Sequence, residues 1–432
     1  METLPTYFNG ATIEALQLGL TRAGFLDDRS IDGLMGPQTK AALRQLQSAN
    51  GLGADGILGP QTMGALLPYL VGYRIHTIQE GDTLWQISQR YGATVHAILA
   101  ANPGVDPQSL RVAQRITVPL GFDVVPTNIR YSSYLTAYVV DGLLARYPFL
   151  GKETVGYSVL GREIVSLSMG TGSRKVGYNA SHHANEWLTT PLVLTYLEDY
   201  LKAYRDGGAI GGEDAGRLYR NISLSIVPLV NPDGVDLVTG ALDPNGAPYR
   251  TARQMAQDYS WIPFPDGWKA NINGVDLNLA YPAGWQEARR IKYAQGYTRP
   301  GPRDFVGRRP LQEPENQAMA TYTRQNDFRL TLSYHSQGRV IYWRYLDYLP
   351  PGSYLMAQRL GEASGYLVEE TPYASGHAGY KDWFIQDFNR PGYTIEVGTG
   401  QSPLPLSQFP TIYRENLPLM TQAMAGILEW GL

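Results

Sequence analysis

The stretch 181 SHHANEW 187 decides how the rest of the chain is read. The chain holds only six histidines, and two stand side by side here, with a carboxylate three residues after the second. A zinc ion held for catalysis needs three protein ligands and one position left open for water. His183 and Glu186 have the spacing to converge on one ion from a tight turn or a helix start. They follow a strand pattern, KVGYNAS, and precede a helical pattern that begins near Thr189. His182 pairs with Asn185 at the same spacing and is the poorer ligand. A third ligand must come from elsewhere, and His335, at the end of the strand pattern LTLSYHS, is better placed than His76, His96 or His377. Taken alone, an H-x-x-E pair is more often a structural polar contact. Glu396, inside the apolar pattern YTIEVG, asks for the same explanation, because a carboxylate in a buried strand is costly unless it is partnered or functional.

Around these residues, ISLSIVPLV (222–230), RLTLSYHS (329–336), RVIYW (339–343) and YTIEVG (393–398) read as buried strands. Helical stretches lie between and after them, at 190–206, 314–326, 354–365 and from about 411 onward. This alternation predicts an α/β domain over 125–432, a mostly parallel or mixed sheet flanked by helices, with its site at strand ends and the loops after them. The segment 120–130 reads as a linker or the entry to that domain.

Two smaller units precede it. IDGLMGPQTKAAL (31–43) and ADGILGPQTMGAL (54–66) form a short internal repeat, each with an Asp-Gly turn and then a Gly-Pro helix start. With a helix over about 11–24, they predict an all-α three-helix unit over 8–70. Residues 74–119 then read strand, helix, helix, strand: RIHTI, a helix from Thr83, VHAILAANP and QRITVP.

Composition narrows the function. The formal net charge is -3, so no basic excess exists to neutralise nucleic-acid phosphates. There is no cysteine, so disulfides, thiol catalysis and Cys-ligated metals are excluded, and a metal must sit on His, Asp or Glu. No apolar run reaches membrane-spanning length, and the first twenty residues lack the basic and apolar regions of a secretory signal. The expected location is therefore the cytoplasm of the producing cell, or the spore or cell wall after lysis. The 30 tyrosines suit carbohydrate or peptide binding, and equally surface and core packing. No oligomer seam is legible.

Three resemblances organise these pieces. The doubled D-G-x-x-G-P-x-T resembles the helical peptidoglycan-binding domain of wall hydrolases; a generic helical bundle with repeated turns is the alternative. GDTLWQIS with AANP and QRITVP resembles the LysM module. That resemblance implies binding of N-acetylglucosamine-containing glycans through loops 81–84 and 102–110, with Gly81, Asp82, Thr83, Leu84 and Asn102 as contacts. HANE, VPLVNPDGVD (227–236), NGVDLNLAYP (273–282), YHS (334–336) and TIEVG (394–398), in that order, resemble the zinc carboxypeptidase family.

The family resemblance implies one zinc per chain, held by His183, Glu186 and His335. Glu396 is then the general base and acid, Asp276 the carboxylate that orients the first ligand histidine, and Asn278 a substrate contact. The family's oxyanion arginine falls on Lys269, which could equally be a solvated lysine. Its mobile tyrosine falls on Tyr373, with Tyr380 second; His377 in the same loop is a substrate contact or simply exposed. The family's carboxylate-gripping arginine is replaced by Leu279. Either another basic residue, Arg344 first among Arg308 and Arg309, takes its place, or the substrate continues past the scissile bond. Together with two wall-binding units, the layout resembles the bacterial γ-D-glutamyl-meso-diaminopimelate endopeptidases of the sporulation-associated type. The implied reaction is hydrolysis of that bond in peptidoglycan stem peptides. A carboxypeptidase for ordinary peptides and a non-catalytic wall-binding protein are the alternatives.

Overall fold

The doubled turn is built twice by the same side-chain network. Buried Gln17 donates through Nε2 to Asp32 (2.8 Å), the Leu34 carbonyl (3.1 Å) and Thr39 (3.0 Å), and its Oε1 accepts from Gly33 (2.9 Å). Gln47 repeats the pattern with Asp55 (2.7 Å), the Ile57 carbonyl (3.0 Å), Thr62 (3.0 Å) and Gly56 (2.8 Å). Each glutamine satisfies both ends of its amide inside the core and pins an Asp-Gly turn ahead of a helix that opens on proline. Gly33 and Gly56 take left-handed backbone there, φ 73° and 74°. The helices Ala11–Arg22, Pro37–Ala49 and Pro60–Val71 close over Leu16, Leu20, Leu43, Leu46, Leu66 and Leu70.

This computed structural model describes residues 10–430, so the first two residues of the 8–70 segment lie outside it. It divides into two compact units, one up to residue 151 and one from 152 onward. The first unit also holds antiparallel strands β1 (Tyr73–Thr77) and β2 (Arg115–Pro119), with helices Leu84–Tyr91 and Val95–Ala101 between them. Ile78, Leu84, Ile87, Ile98, Ile116 and Val118 form their core. Helix Ser133–Arg146 packs in this unit too, with Tyr138 against the three-helix core and Arg146 donating to the Leu120 and Phe122 carbonyls.

In the second unit the strands are β3 (Gly151–Tyr157), β4 (Glu163–Met169), β5 (Arg174–Ala180), a two-residue ribbon β6 (Ala209–Ile210) and β7 (Glu213–Asp214), then β8 (Ile222–Val227), β9 (Leu330–Ser336), β10 (Val340–Tyr342), β11 (Leu367–Glu369) and β12 (Gly392–Val397). Eight of them form one mixed sheet in the order β11-β10-β12-β9-β5-β8-β4-β3. Its centre, β12-β9-β5-β8, is parallel throughout. β9, LTLSYHS, is buried along its whole length, as a strand covered on both faces must be. Helices Thr189–Arg205, Ser353–Ser364 and Phe409–Trp430 pack as one group. Pro314–Asn326 and Tyr380–Phe388 share another core with Tyr281 and Ile164. Among the described residues, no helix is long and apolar enough to cross a membrane.

Candidate active site

Three parallel strands deliver the central side chains at their C-terminal ends. β5 ends at Ala180, and Ser181 turns the chain out of the sheet in left-handed backbone, φ 54°. The Ser181 hydroxyl bonds to Thr189 (3.0 Å) and Thr190 (2.8 Å), which fixes the loop to the next helix. A short helical turn, Ala184–Glu186, follows and brings Glu186 back toward His183. His335 and Glu396 lie opposite one another in the β9-β12 register.

The ligand atoms of His183, Glu186 and His335 lie within 4.8 Å of one another. His183 Nδ1 stands 2.9 Å from Glu186 Oε1, and His335 Nδ1 stands 2.9 Å from Glu186 Oε2 and 3.2 Å from His183 Nδ1. The outer nitrogen of His183 faces Asp276 at 3.1 Å, which makes it the protonated one and leaves the inner lone pair for a cation. Burial opposes a positive charge on His183, yet Glu186 and then Asp276 raise its pKa to about 9, so the inner nitrogen carries a proton that a bound cation would displace. The set has the three protein donors of a catalytic zinc site, and zinc fits it.

His182 turns away, as its spacing implied. It is fully buried, bonded to the Tyr281 hydroxyl (3.0 Å) and held neutral by burial and by the neighbouring histidines. Lys269 reaches the cluster, its Nζ 3.0 Å from Glu186 Oε1. Burial works against the charge of Lys269, but Glu186, Asp276 and Glu396 raise its pKa overall. The side chain is thus engaged at the site and is not a solvated lysine. Asn278 lies 3.4 Å from the outer nitrogen of His335, and its Oδ1 accepts from the Tyr380 amide at 2.9 Å.

Asp276 also accepts from the Asn278 amide (3.1 Å) and the Asp304 amide (3.3 Å), so it is held firmly behind His183. Asp276→Asn should weaken zinc binding by about 10- to 100-fold, since the carboxylate sets the tautomer of the ligand. Competition against a chromophoric chelator measures this, and unchanged affinity would show that something else fixes His183.

The remaining candidates spread around the rim. Tyr373 is exposed, and its hydroxyl donates to Glu287 at 2.8 Å. Tyr380 is buried and bonded to Thr323 at 2.9 Å, so it does not swing. Arg344 pairs with Glu370 (2.6 Å) and the Leu346 carbonyl (2.8 Å), away from the three ligands. Leu279 packs with Trp285, Ala288, Val306 and Ala378. His377 is buried beside Tyr373 and Tyr345, and neither ring nitrogen has a hydrogen-bond partner. Gly284 makes room for it: a Cβ there would stand 2.9 Å from His377 Nδ1 and 2.5 Å from the Tyr345 hydroxyl.

In the first unit, Leu84 is core, and the Asn102 amide bonds to Ile98 (2.6 Å) and to both backbone groups of Thr117 (2.7 and 2.8 Å). Asp82 is engaged with His76 and the Gln79 amide, both at 2.8 Å, while Thr83 caps the following helix. Gly81 takes left-handed backbone at φ 85°. Trp85, 66 % exposed beside this loop, escaped the sequence reading.

Two structural groups were also missed. Asn231 Nδ2 bridges the His182 carbonyl (3.1 Å) and the Ala270 carbonyl (3.0 Å), tying the ligand loop to the lysine loop; the quoted VNPDG contains it. Asn271 donates to Glu313 (2.8 Å) and to buried Glu315 (3.2 Å). Burial, chiefly, and Asp233 raise the Glu315 pKa from 4.5 to about 8. Between these values the folded chain keeps a proton that the unfolded chain has lost, so this group makes stability fall as pH rises. Glu315→Gln should remove that share of the slope. From pH 5.5 to 7.5 the wild type should lose about 2 kcal/mol relative to the variant in urea unfolding. Parallel curves would mean that Glu315 is ionised in the folded state.

Comparison with known proteins bears on the whole arrangement. Residues 137–419 match the zinc carboxypeptidase family, 9–66 the peptidoglycan binding domain and 76–119 the LysM domain. Gamma-D-glutamyl-L-diamino acid endopeptidase 1 of Lysinibacillus sphaericus is 44% identical over 405 residues, covering 81% of this chain and 98% of that protein. The uncharacterized protein YqgT of Bacillus subtilis (strain 168) is 39% identical over 280 residues, 64% of this chain and 73% of its own. The fold is shared with thrombin-activatable fibrinolysis inhibitor (TM-score 0.55, 14% identity, 83% of this chain and 98% of that one). It is shared too with carboxypeptidase A of Helicoverpa armigera (TM-score 0.53, 20% identity, 80% and 81%).

Proposed function

From the chain's membership of the zinc carboxypeptidase family, with peptidoglycan-binding and LysM domains ahead of its peptidase segment, we infer that it hydrolyses the γ-D-glutamyl-meso-diaminopimelate bond of peptidoglycan stem peptides. The observation that carries this reading is the 44% identity to an endopeptidase named for the γ-D-glutamyl-L-diamino acid linkage, over 98% of that protein's length. The apolar packing of Leu279 against Trp285, Ala288, Val306 and Ala378 supports it, because a leucine cannot pair with a terminal carboxylate.

His183, Glu186 and His335 would hold the zinc, which supplies Lewis acidity: it makes a water more acidic and polarises the scissile carbonyl. Glu396 takes the proton from the attacking water and returns one to the leaving diaminopimelyl amine. Lys269, already charged at the cluster, offers a donor to the oxygen that gains charge in the transition state. As a point charge it lacks the bidentate grip of an arginine. Asp276 and Asn278 hold the two ligand imidazoles, and Asn278 keeps an amide hydrogen for substrate. Tyr373, on the exposed rim, would fold over bound substrate. His377, with two unpartnered nitrogens beside Tyr345 and Tyr373, would meet the polar end of the diaminopimelyl side chain, and Arg344 would bound the same pocket further out.

The segments 8–70, 74–119 and 125–432 serve as wall anchor, glycan binder and peptidase. In the glycan binder, Gly81, Asp82 and Thr83 and the loop that follows Asn102 would meet the sugar, with Trp85 adding a stacking face. Tethering to the wall raises the effective concentration of stem peptides at the site. The test compares kcat/KM on a γ-D-glutamyl-diaminopimelyl peptide with release of C-terminal residues from an ordinary peptide. The reading requires strong preference for the first; faster release from the second would make the enzyme an exopeptidase.

A further inference from the structure

One guanidinium beside the cluster has no part in the mechanism above. The Pro302 carbonyl accepts from both Lys269 N (2.7 Å) and Ala270 N (2.9 Å), which seats Arg303 alongside the lysine loop. The next residue, Asp304, takes left-handed backbone at φ 64°, and its amide donates to Asp276, behind His183. The Asp304 carboxylate is shared between Lys292 (2.6 Å) and Arg303 Nε (2.6 Å). Arg303 is thereby aimed through its Nε, while its two Nη groups have no hydrogen-bond partner among the described residues and the side chain is 41 % exposed. Its charge is felt at Lys269, where it opposes protonation. The neighbouring cations differ: Lys269 is engaged by Glu186, Lys292 by Asp304 and Arg290 by Glu287.

We propose that Arg303 is a specificity residue for the acyl side of the scissile bond, gripping the free α-carboxylate of the γ-linked D-glutamyl unit. This rests on the endopeptidase reading above. In a γ-linked glutamyl unit two methylenes separate the scissile carbonyl from the Cα that bears the carboxylate, so the charge stands roughly 5 Å from the reacting carbon. An ordinary α-linked backbone carries no charge there. A second cation, set just beyond the one at the carbonyl, reads that difference. A guanidinium with both Nη groups free presents the planar fork that a carboxylate accepts.

The test uses two stem peptides, L-Ala-γ-D-Glu-meso-diaminopimelate-D-Ala and its counterpart with the glutamyl α-carboxylate as a carboxamide. The zinc-loaded full chain is compared with Arg303→Gln and Arg303→Lys. Wild type should favour the carboxylate in kcat/KM on the order of 10- to 100-fold, the scale of a charged hydrogen-bonded pair. Arg303→Gln should lose about that factor on the carboxylate, mainly in KM, with zinc still at one per chain, and its preference should collapse toward unity. Arg303→Lys should recover part of it. Equal losses on both substrates would reduce Arg303 to a support for Asp304 and Asp276 and overturn the proposal, as would a wild type that cuts both equally well. Cleavage of neither by wild type would remove the endopeptidase reading, and the role of Arg303 with it.

Discussion

Glu396→Gln should lower kcat on a stem peptide by about 10³-fold or more while zinc stays at one per chain. Glutamine keeps the size and the hydrogen-bonding shape of the side chain but cannot take a proton. Glu396 sits in β12 opposite His335, where it faces the cluster without belonging to the ligand set. Burial first, and then the Glu186 carboxylate, raise its pKa to about 8. A dication among the three ligands would counter both effects and favour the carboxylate. The group would thus hold a proton in the bare pocket and give it up beside a bound dication, the carboxylate form that a general base needs. Steady-state kinetics with metal analysis on the same sample checks this. A loss under about tenfold would move the base to another residue.

His335→Ala should take the metal with it. His335 is buried, and its Nδ1 meets both Glu186 and His183. With it gone, two protein ligands remain, one short of the set that a catalytic zinc needs. Zinc should fall well below one per chain after dialysis, and activity should vanish. The thermal transition of the peptidase unit should also stop responding to added zinc, because an ion stabilises only the state that binds it. Chelation of the wild type should reproduce the loss, and zinc should reverse it. Full zinc in the variant would mean that the ligands lie elsewhere.

The buried strands and the ligands were legible because their chemistry is local. β9 falls within the apolar run that announced it, β12 matches its own run to within one residue at each end, and HANE carries two ligands in four residues. The helix Pro314–Asn326 has the predicted bounds. What the sequence hid depends on partners far along the chain. β3, GKETVGY, is an edge strand with no buried residue, so it has no apolar run to read. Asn231 matters because it bridges residues 182 and 270, and Arg303 because Pro302 is clamped to the lysine loop. Leu84 and Asn102 look like loop contacts in sequence, yet one is core and the other ties a helix end to β2.

The most direct test of the whole account is mass spectrometry of the products from L-Ala-γ-D-Glu-meso-diaminopimelate-D-Ala, with the zinc-loaded chain and with Glu396→Gln. The account predicts L-Ala-D-Glu and diaminopimelyl-D-Ala from the wild type, and intact substrate from the variant. Release of D-Ala with the γ-glutamyl bond intact would contradict it.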